Sequence, residues 1–143
     1  MQKIARGIRN NNPGNIRHNP SGKCNWIGCK CNDVKLDKNF CTFDTMENGC
    51  RALLKNLITY NLKYNIDTIN DIINRWAPSN ENDTKSYVNF VSSYLNVEPN
   101  VKLNLCNNKQ LILEIAKAIA LFENGNDASL ISETCWSNAF KRV

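Results

Sequence analysis

The segment Asn108-Lys109-Gln110-Leu111-Ile112-Leu113-Glu114-Ile115-Ala116-Lys117-Ala118-Ile119-Ala120-Leu121-Phe122-Glu123-Asn124-Gly125 carries the strongest structural signal in the chain. Leu111, Ile112, Ile115, Ala116, Ile119 and Phe122 recur at helical spacing, Asn107 or Asn108 can cap the start, and Gly125 stops the end. A helix that is apolar on most faces belongs at the buried centre of a bundle. Glu123 breaks the pattern. A carboxylate at the end of such a helix sits beside the wall of the core, where desolvation raises its pKa, and it faces the negative end of the helix dipole, which raises it further. Those are the conditions for a general acid that protonates the leaving oxygen of a glycosidic bond. The same residue can also be read as an exposed helix end beside an Asn-Gly cap.

Working outward, Leu53, Leu54, Leu57, Ile58 and Tyr64 predict a helix over roughly 45–63, with Asp44 and Glu47 as an acidic capping box. Ile69, Ile72, Ile73 and Trp76 predict a second, starting near Asp67 and ended by Pro78. Asn82 or Asp83 would cap a third, whose stripe is Tyr87, Phe90, Val91 and Tyr94. The tail from Ala128 to Val143 predicts a last helix. Residues 18–43 read differently: Pro20, Gly22 and Gly28 punctuate short apolar pieces, and Asn39 to Phe43 alternates with β propensity. The expected architecture is a single α+β domain over 1–143, mainly α, with a helical bundle and a small β lobe at about 18–43.

Composition narrows the function classes. The 143 residues carry 18 Lys+Arg against 13 Asp+Glu, a net +5 that suits a polyanionic partner without separating nucleic acid from a bacterial wall. No apolar run is long enough to span a bilayer, and the first twenty residues lack the apolar core of a secretory signal, so neither is expected. Asn is abundant, as AT-rich coding would produce. There is no phosphate-cradling glycine loop and no basic-aromatic strand set for RNA. His18 is the only histidine, and no Cys or Ser lies in an elbow motif, which disfavours a cysteine or serine hydrolase.

Seven cysteines, Cys24, Cys29, Cys31, Cys41, Cys50, Cys106 and Cys135, leave at least one thiol unpaired. The crowd Cys24-x4-Cys29-x-Cys31-x9-Cys41 could ligate zinc, pin a hairpin by disulfides, or stay reduced. Because it offers one plausible knuckle where zinc sites usually have two, the sequence reading assigns no metal and no cofactor.

Arg6-Gly7-Ile8-Arg9-Asn10-Asn11-Asn12-Pro13-Gly14-Asn15-Ile16-Arg17 fits no regular element, because Pro13 lacks an amide donor, Gly14 frees the backbone and Asn favours turns. It reads as a built loop whose amide side chains both donate and accept, suited to a neutral polar ligand such as a sugar.

This loop, with Trp26-Ile27-Gly28, Phe40-x-x-Phe43-Asp44-Thr45, Gly49-x-Arg51-Ala52, Arg75-Trp76-Ala77-Pro78, Glu81-Asn82-Asp83-Thr84-x-x-Tyr87 and Phe122-Glu123-Asn124-Gly125, resembles a bacteriophage family of virion structural or endolysin-like proteins. Asn11 to Arg17 and Thr84-x-x-Tyr87 also resemble, more distantly, lysozyme-like glucosaminidases of cell walls, with the glutamate helix last instead of first. That resemblance implies a circularly permuted lysozyme-like domain in which Glu123 docks beside the N-terminal loop. It implies a peptidoglycan hydrolase, either a muramidase, a glucosaminidase or a lytic transglycosylase, with Glu123 as catalytic acid. Asn11, Asn12, Asn15, Trp26 and Tyr87 would bind substrate, Trp76 being the weaker stacking candidate. Glu81, Asp33 and Asp37 are candidates for a second carboxylate. The implied partners are peptidoglycan and phage virion components, with no nucleic acid and no membrane span, for a monomer located in the virion or at the host periplasm and wall. The alternative is a non-catalytic virion structural or wall-binding module.

Overall fold

The computed structural model describes residues 3–32, 35–78 and 83–143. Among these residues six helices follow one another: α1 (Arg6–Arg9), α2 (Met46–Tyr64), α3 (Ile69–Trp76), α4 (Thr84–Leu95), α5 (Lys109–Asn124) and α6 (Glu133–Lys141), with 3-10 turns at Leu105–Asn107 and Gly125–Leu130. As the periodicity implies, α5 is the centre, burying Ile112, Leu113, Ile115, Ala116, Ala118, Ile119 and Ala120. It packs against α4 and α2, while α2 also carries α6 and α4 carries α3. Removing each large aliphatic side chain from water contributes about 1.5–3 kcal/mol, so this layer supplies much of the driving force for folding.

Hydroxyl and carboxylate caps set the helix starts. Thr45, Thr68, Asp83 and Ser132 each accept a hydrogen bond from the backbone N–H three residues on. Asp44 is therefore not the cap of α2; its carboxylate accepts from the Asn48 side-chain amide instead. At the other ends, Asn65 and Asn96 close α2 and α4 in the left-handed conformation.

The expected β lobe does not form, and the domain is mainly α rather than α+β with a lysozyme-like sheet. Among the described residues of 18–43 the strand-like contacts are two isolated bridges, Arg17 with Phe40 and Cys29 with Phe43. The reason lies in where the backbone groups of Asn39 to Phe43 are spent. The amides of Asn39 and Phe40 donate to the Asp37 carboxylate. Cys41 donates to the Ile16 carbonyl and Phe43 to the Asn10 carbonyl. The Cys41 carbonyl accepts from the Asn12 side chain. The Thr42 carbonyl accepts from the Lys30 amide, so the partners are scattered over three separate segments and make no continuous ladder, whatever the alternation of side chains.

The N-terminal stretch also differs from a pure loop, since Arg6–Arg9 makes one helical turn before Asn11 turns left-handed. It then packs into a second apolar cluster of Ile16, Cys31, Cys41, Phe43 and Ala52, and Trp76 touches both this cluster and the main core. Gly49 makes this possible, because a Cβ at that position would overlap the Asn11 carbonyl oxygen.

Asp37 is the hub of the irregular lobe. It takes two hydrogen bonds from the Arg6 guanidinium at 2.6 and 2.7 Å and one from Asn10 at 2.9 Å, besides the two backbone amides. The Arg6 hydrogen bonds, followed by those of Asn10 and the two amides, hold its carboxyl well below the usual carboxylate range against the opposing effect of burial. A depressed folded-state pKa gives stability that is full above the unfolded value of 3.8 and is lost as pH falls through the folded value. Asp37→Asn is accordingly expected to lower the unfolding midpoint at neutral pH, with the gap to wild type narrowing on acidification well below pH 3.8. Denaturant melts at the two pH values measure it, and a gap that widens on acidification would contradict it.

Candidate active site

Glu123 lies in the last turn of α5, half-buried, with its carboxyl held at both oxygens. Asn15 Nδ2 donates to Oε1 at 2.8 Å and the Tyr87 hydroxyl donates to Oε2 at 2.8 Å. Tyr87 is itself fully buried on α4, stacked on Phe122 with ring centroids 3.8 Å apart. The N-terminal loop through Asn15 and α4 through Tyr87 thus fix the carboxyl carried by α5.

Desolvation by burial pushes the Glu123 pKa above its ordinary value, partly offset by the Asn15 and Tyr87 hydrogen bonds and by the positive charge of Arg17. The balance favours a neutral acid more than an exposed glutamate does. Burial also raises the Tyr87 phenol, reinforced by the negative charge of Glu123, so Tyr87 keeps its proton and remains a donor.

The loop that brings Asn15 to Glu123 is locked to the same helix end. Asn124 Nδ2 donates to the Pro13 carbonyl at 2.8 Å and to the Ala120 carbonyl at 2.9 Å. Asn15 itself adopts the left-handed conformation, with φ 51°.

A cleft of about 800 Å³ opens in front of this carboxyl, walled by Asn15, Arg17, Phe40, Tyr60, Arg75 and Trp76 among others. Arg17, His18, Pro20 and Asn56 also line an adjoining space of about 410 Å³ that reaches Trp26, so the two are contiguous and make an elongated groove. Its lining combines the aromatic rings of Phe40, Tyr60, Trp76 and Trp26 with the polar side chains of Asn15, Arg17, Asn56 and Arg75.

No family model matches the chain. Protein P5 of the Pseudoalteromonas phage PM2 is 39% identical to it over 127 residues, which is 89% of this chain and 76% of that protein. The chain belongs to the family of this phage protein. Among the described residues of this family member, no helix is long and apolar enough to cross a membrane.

The residues singled out in the sequence divide into those that meet Glu123, those that build the loop and those that lie elsewhere. Asn15 and Tyr87 contact the carboxyl directly, so both act on the acid rather than only lining the groove. Trp26 lines the far part of the groove. Asn12 is fully buried and structural: it donates to the Ile16 and Cys41 carbonyls and accepts from the Ile16 amide. Asn11 donates to the Phe43 carbonyl. Asp37 is committed to Arg6 and Asn10 and is not part of the groove wall. Asp33 and Glu81 lie outside the described residues. Arg17, Phe40, Asn56, Tyr60 and Arg75 were not foreseen as groove residues. Arg17 belonged to the loop motif and Arg75 to the Arg75-Trp76-Ala77-Pro78 block, but nothing in their spacing marks which side they face. Trp76, the weaker stacking candidate, lies in the wall beside Glu123.

Gly7 holds the geometry from behind. A Cβ there would overlap Asn124 Oδ1 and the Asn12 carbonyl oxygen and crowd Asn15 Oδ1. Gly7→Ala is expected to cost about 1–3 kcal/mol, the range for overpacking a tight site. Equilibrium denaturation measures this, and unchanged stability would show that the junction of loop and α5 is looser than described.

Proposed function

We propose that the protein cleaves the glycan strand of bacterial peptidoglycan, with Glu123 as the general acid. The observation that carries this reading is a desolvated carboxyl, held at both oxygens by Asn15 and Tyr87, at the wall of an elongated aromatic and amide-lined groove. Membership of a phage protein family supports it, because a phage must breach the host wall on entry or exit. A chain carried in the virion or released at lysis would have that access.

The chemistry follows from the geometry. Protonated Glu123 gives its proton to the glycosidic oxygen as the bond from that oxygen to the anomeric carbon breaks, and the departing sugar leaves as an alcohol. Asn15 and Tyr87 then stabilise the carboxylate that remains, each as a donor to one oxygen. The oxocarbenium-like sugar is captured either by water, giving a reducing end, or by the muramic acid hydroxyl on C6, giving an anhydro end, and in either case the Glu123 carboxylate takes up the proton that the nucleophile loses. Among the described residues Glu123 is the one carboxylate in the groove wall, and the end groups of the released fragments tell the two captures apart. Arg17, Tyr60, Arg75 and Trp76 supply the binding surface around the scissile bond.

Purified protein should clear a murein suspension, and Glu123→Gln, which keeps the shape and removes the acid, should slow clearing by about 10²–10⁴-fold without unfolding the chain. Mass spectrometry of the soluble fragments distinguishes reducing from anhydro ends. Equal clearing by wild type and variant removes Glu123 from the mechanism. Sedimentation with murein and no released fragments would mark a wall-binding module instead.

A further inference from the structure

The irregular lobe lacks a sheet, yet it gathers four of the seven cysteines and the histidine. Ligand atoms of His18, Cys31 and Cys41 all lie within 4.8 Å of one another, and so do those of Cys24, Cys29 and Cys41. Cys41 thus sits between the two groups. Cys31 and Cys41 are 3% and 2% exposed, and the Cys24–Cys29 pair is drawn together as a disulfide. We propose that, in the dithiol form of the chain, His18, Cys31, Cys41 and one sulfur of the Cys24/Cys29 pair bind a structural zinc ion that holds the lobe against the groove.

Three features of the surroundings fit a metal better than a cluster of inert thiols. His18 Nε2 lies 2.6 Å from the Asp37 carbonyl oxygen, an acceptor, so Nε2 carries the proton and Nδ1 is the nitrogen left to coordinate. That is the usual arrangement behind a ligating histidine, whose second nitrogen is fixed by a carbonyl or carboxylate. The Thr42 amide donates to Cys31 Sγ at 3.1 Å, the kind of outer hydrogen bond that orients a ligating sulfur. Tetrahedral zinc with sulfur ligands at about 2.3 Å places those ligands about 3.8 Å apart, so His18, Cys31 and Cys41, now within 4.8 Å of one another, close on the ion by shifts of about 1 Å, and Cys24 or Cys29, within 4.8 Å of Cys41, swings in as the fourth ligand once the disulfide is open.

The site joins residues 18, 24 or 29, 31 and 41, and so would add covalent-strength cross-links to segments that the backbone ties by isolated bridges. His18, Cys24 and Cys41 also line the part of the groove that reaches Trp26, so the ion would set that wall while staying out of the reaction. The cysteine spacing alone does not suggest the site, because its one histidine ligand, His18, precedes the cysteine run and reaches it only through the fold. On binding, each coordinating thiol gives up its proton to solvent.

The test uses the full chain reduced with tris(carboxyethyl)phosphine and freed of metal. The phosphine opens the Cys24–Cys29 bond and is oxidised to its oxide, water supplying the oxygen and the two thiol hydrogens. Titration with Zn²⁺ against a chromogenic chelator should give one ion per chain. Co²⁺ should give the intense visible bands of a tetrahedral ion together with thiolate-to-metal charge transfer. His18→Ala should weaken binding by at least about tenfold, while Cys106→Ser should leave it unchanged. A folded, reduced wild type that binds no Zn²⁺, or that binds Co²⁺ with a weak octahedral spectrum, overturns the proposal. So does binding that survives Cys41→Ser but is lost in Cys106→Ser. Because the wild-type titration decides alone, misfolding of a cysteine variant does not blunt the test.

Discussion

Two hydrogen bonds to one carboxyl organise this molecule. Asn15 and Tyr87 stand 108 and 36 positions from Glu123 in sequence, and both close on it at 2.8 Å. A half-buried carboxyl is costly unless it is neutral or well hydrogen-bonded. Here burial pushes toward the neutral form while the two donors steady the charged one, which leaves the group able to pass between both states. The rest of the fold serves that arrangement. The apolar helix α5 supplies the desolvating wall, α4 supplies a buried phenol that cannot ionise, and the Asn124 bond to the Pro13 carbonyl clamps the N-terminal loop onto the end of α5.

The irregular lobe works by the same means. Its backbone groups are met by side chains and by distant segments rather than by a neighbouring strand. Asp37 ties five donors to one carboxylate, and Asn12 serves three backbone groups at once. Such a lobe keeps its shape through a few polar hubs, so it can present one wall of a groove without the flatness of a sheet. The cost is that losing any one hub strands several buried polar groups together.

The helices were legible because their signal is local. Apolar residues at spacings of three and four located α2 to α6 to within a few residues, and the buried centre was readable in α5 from its lack of a polar face. The lobe was not legible because its alternation at Asn39 to Phe43 describes only side-chain direction, whereas a strand also needs a partner backbone in register. Asn11 and Asn12 looked like ligand grips and instead turned inward, since nothing in sequence separates an amide aimed at a sugar from one aimed at a carbonyl. The abundance of Asn proved more than a trace of codon usage. Asn11, Asn15, Asn65, Asn96 and Asn104 occupy left-handed backbone positions, where a short polar side chain is tolerated and bulkier residues are strained. Glu123 was visible as an acid on an apolar helix. Its two partners could be named from the loop and from Thr84-x-x-Tyr87, but only the tertiary structure shows that they meet on its carboxyl.

A carbon-13 titration of the side-chain carboxyls tests the central claim most directly, because it reads the acid itself without a substrate. The Glu123 carboxyl should titrate above the ordinary glutamate value of 4.5. A Glu123 midpoint at or below 4.5 would contradict the desolvated acid on which this account rests.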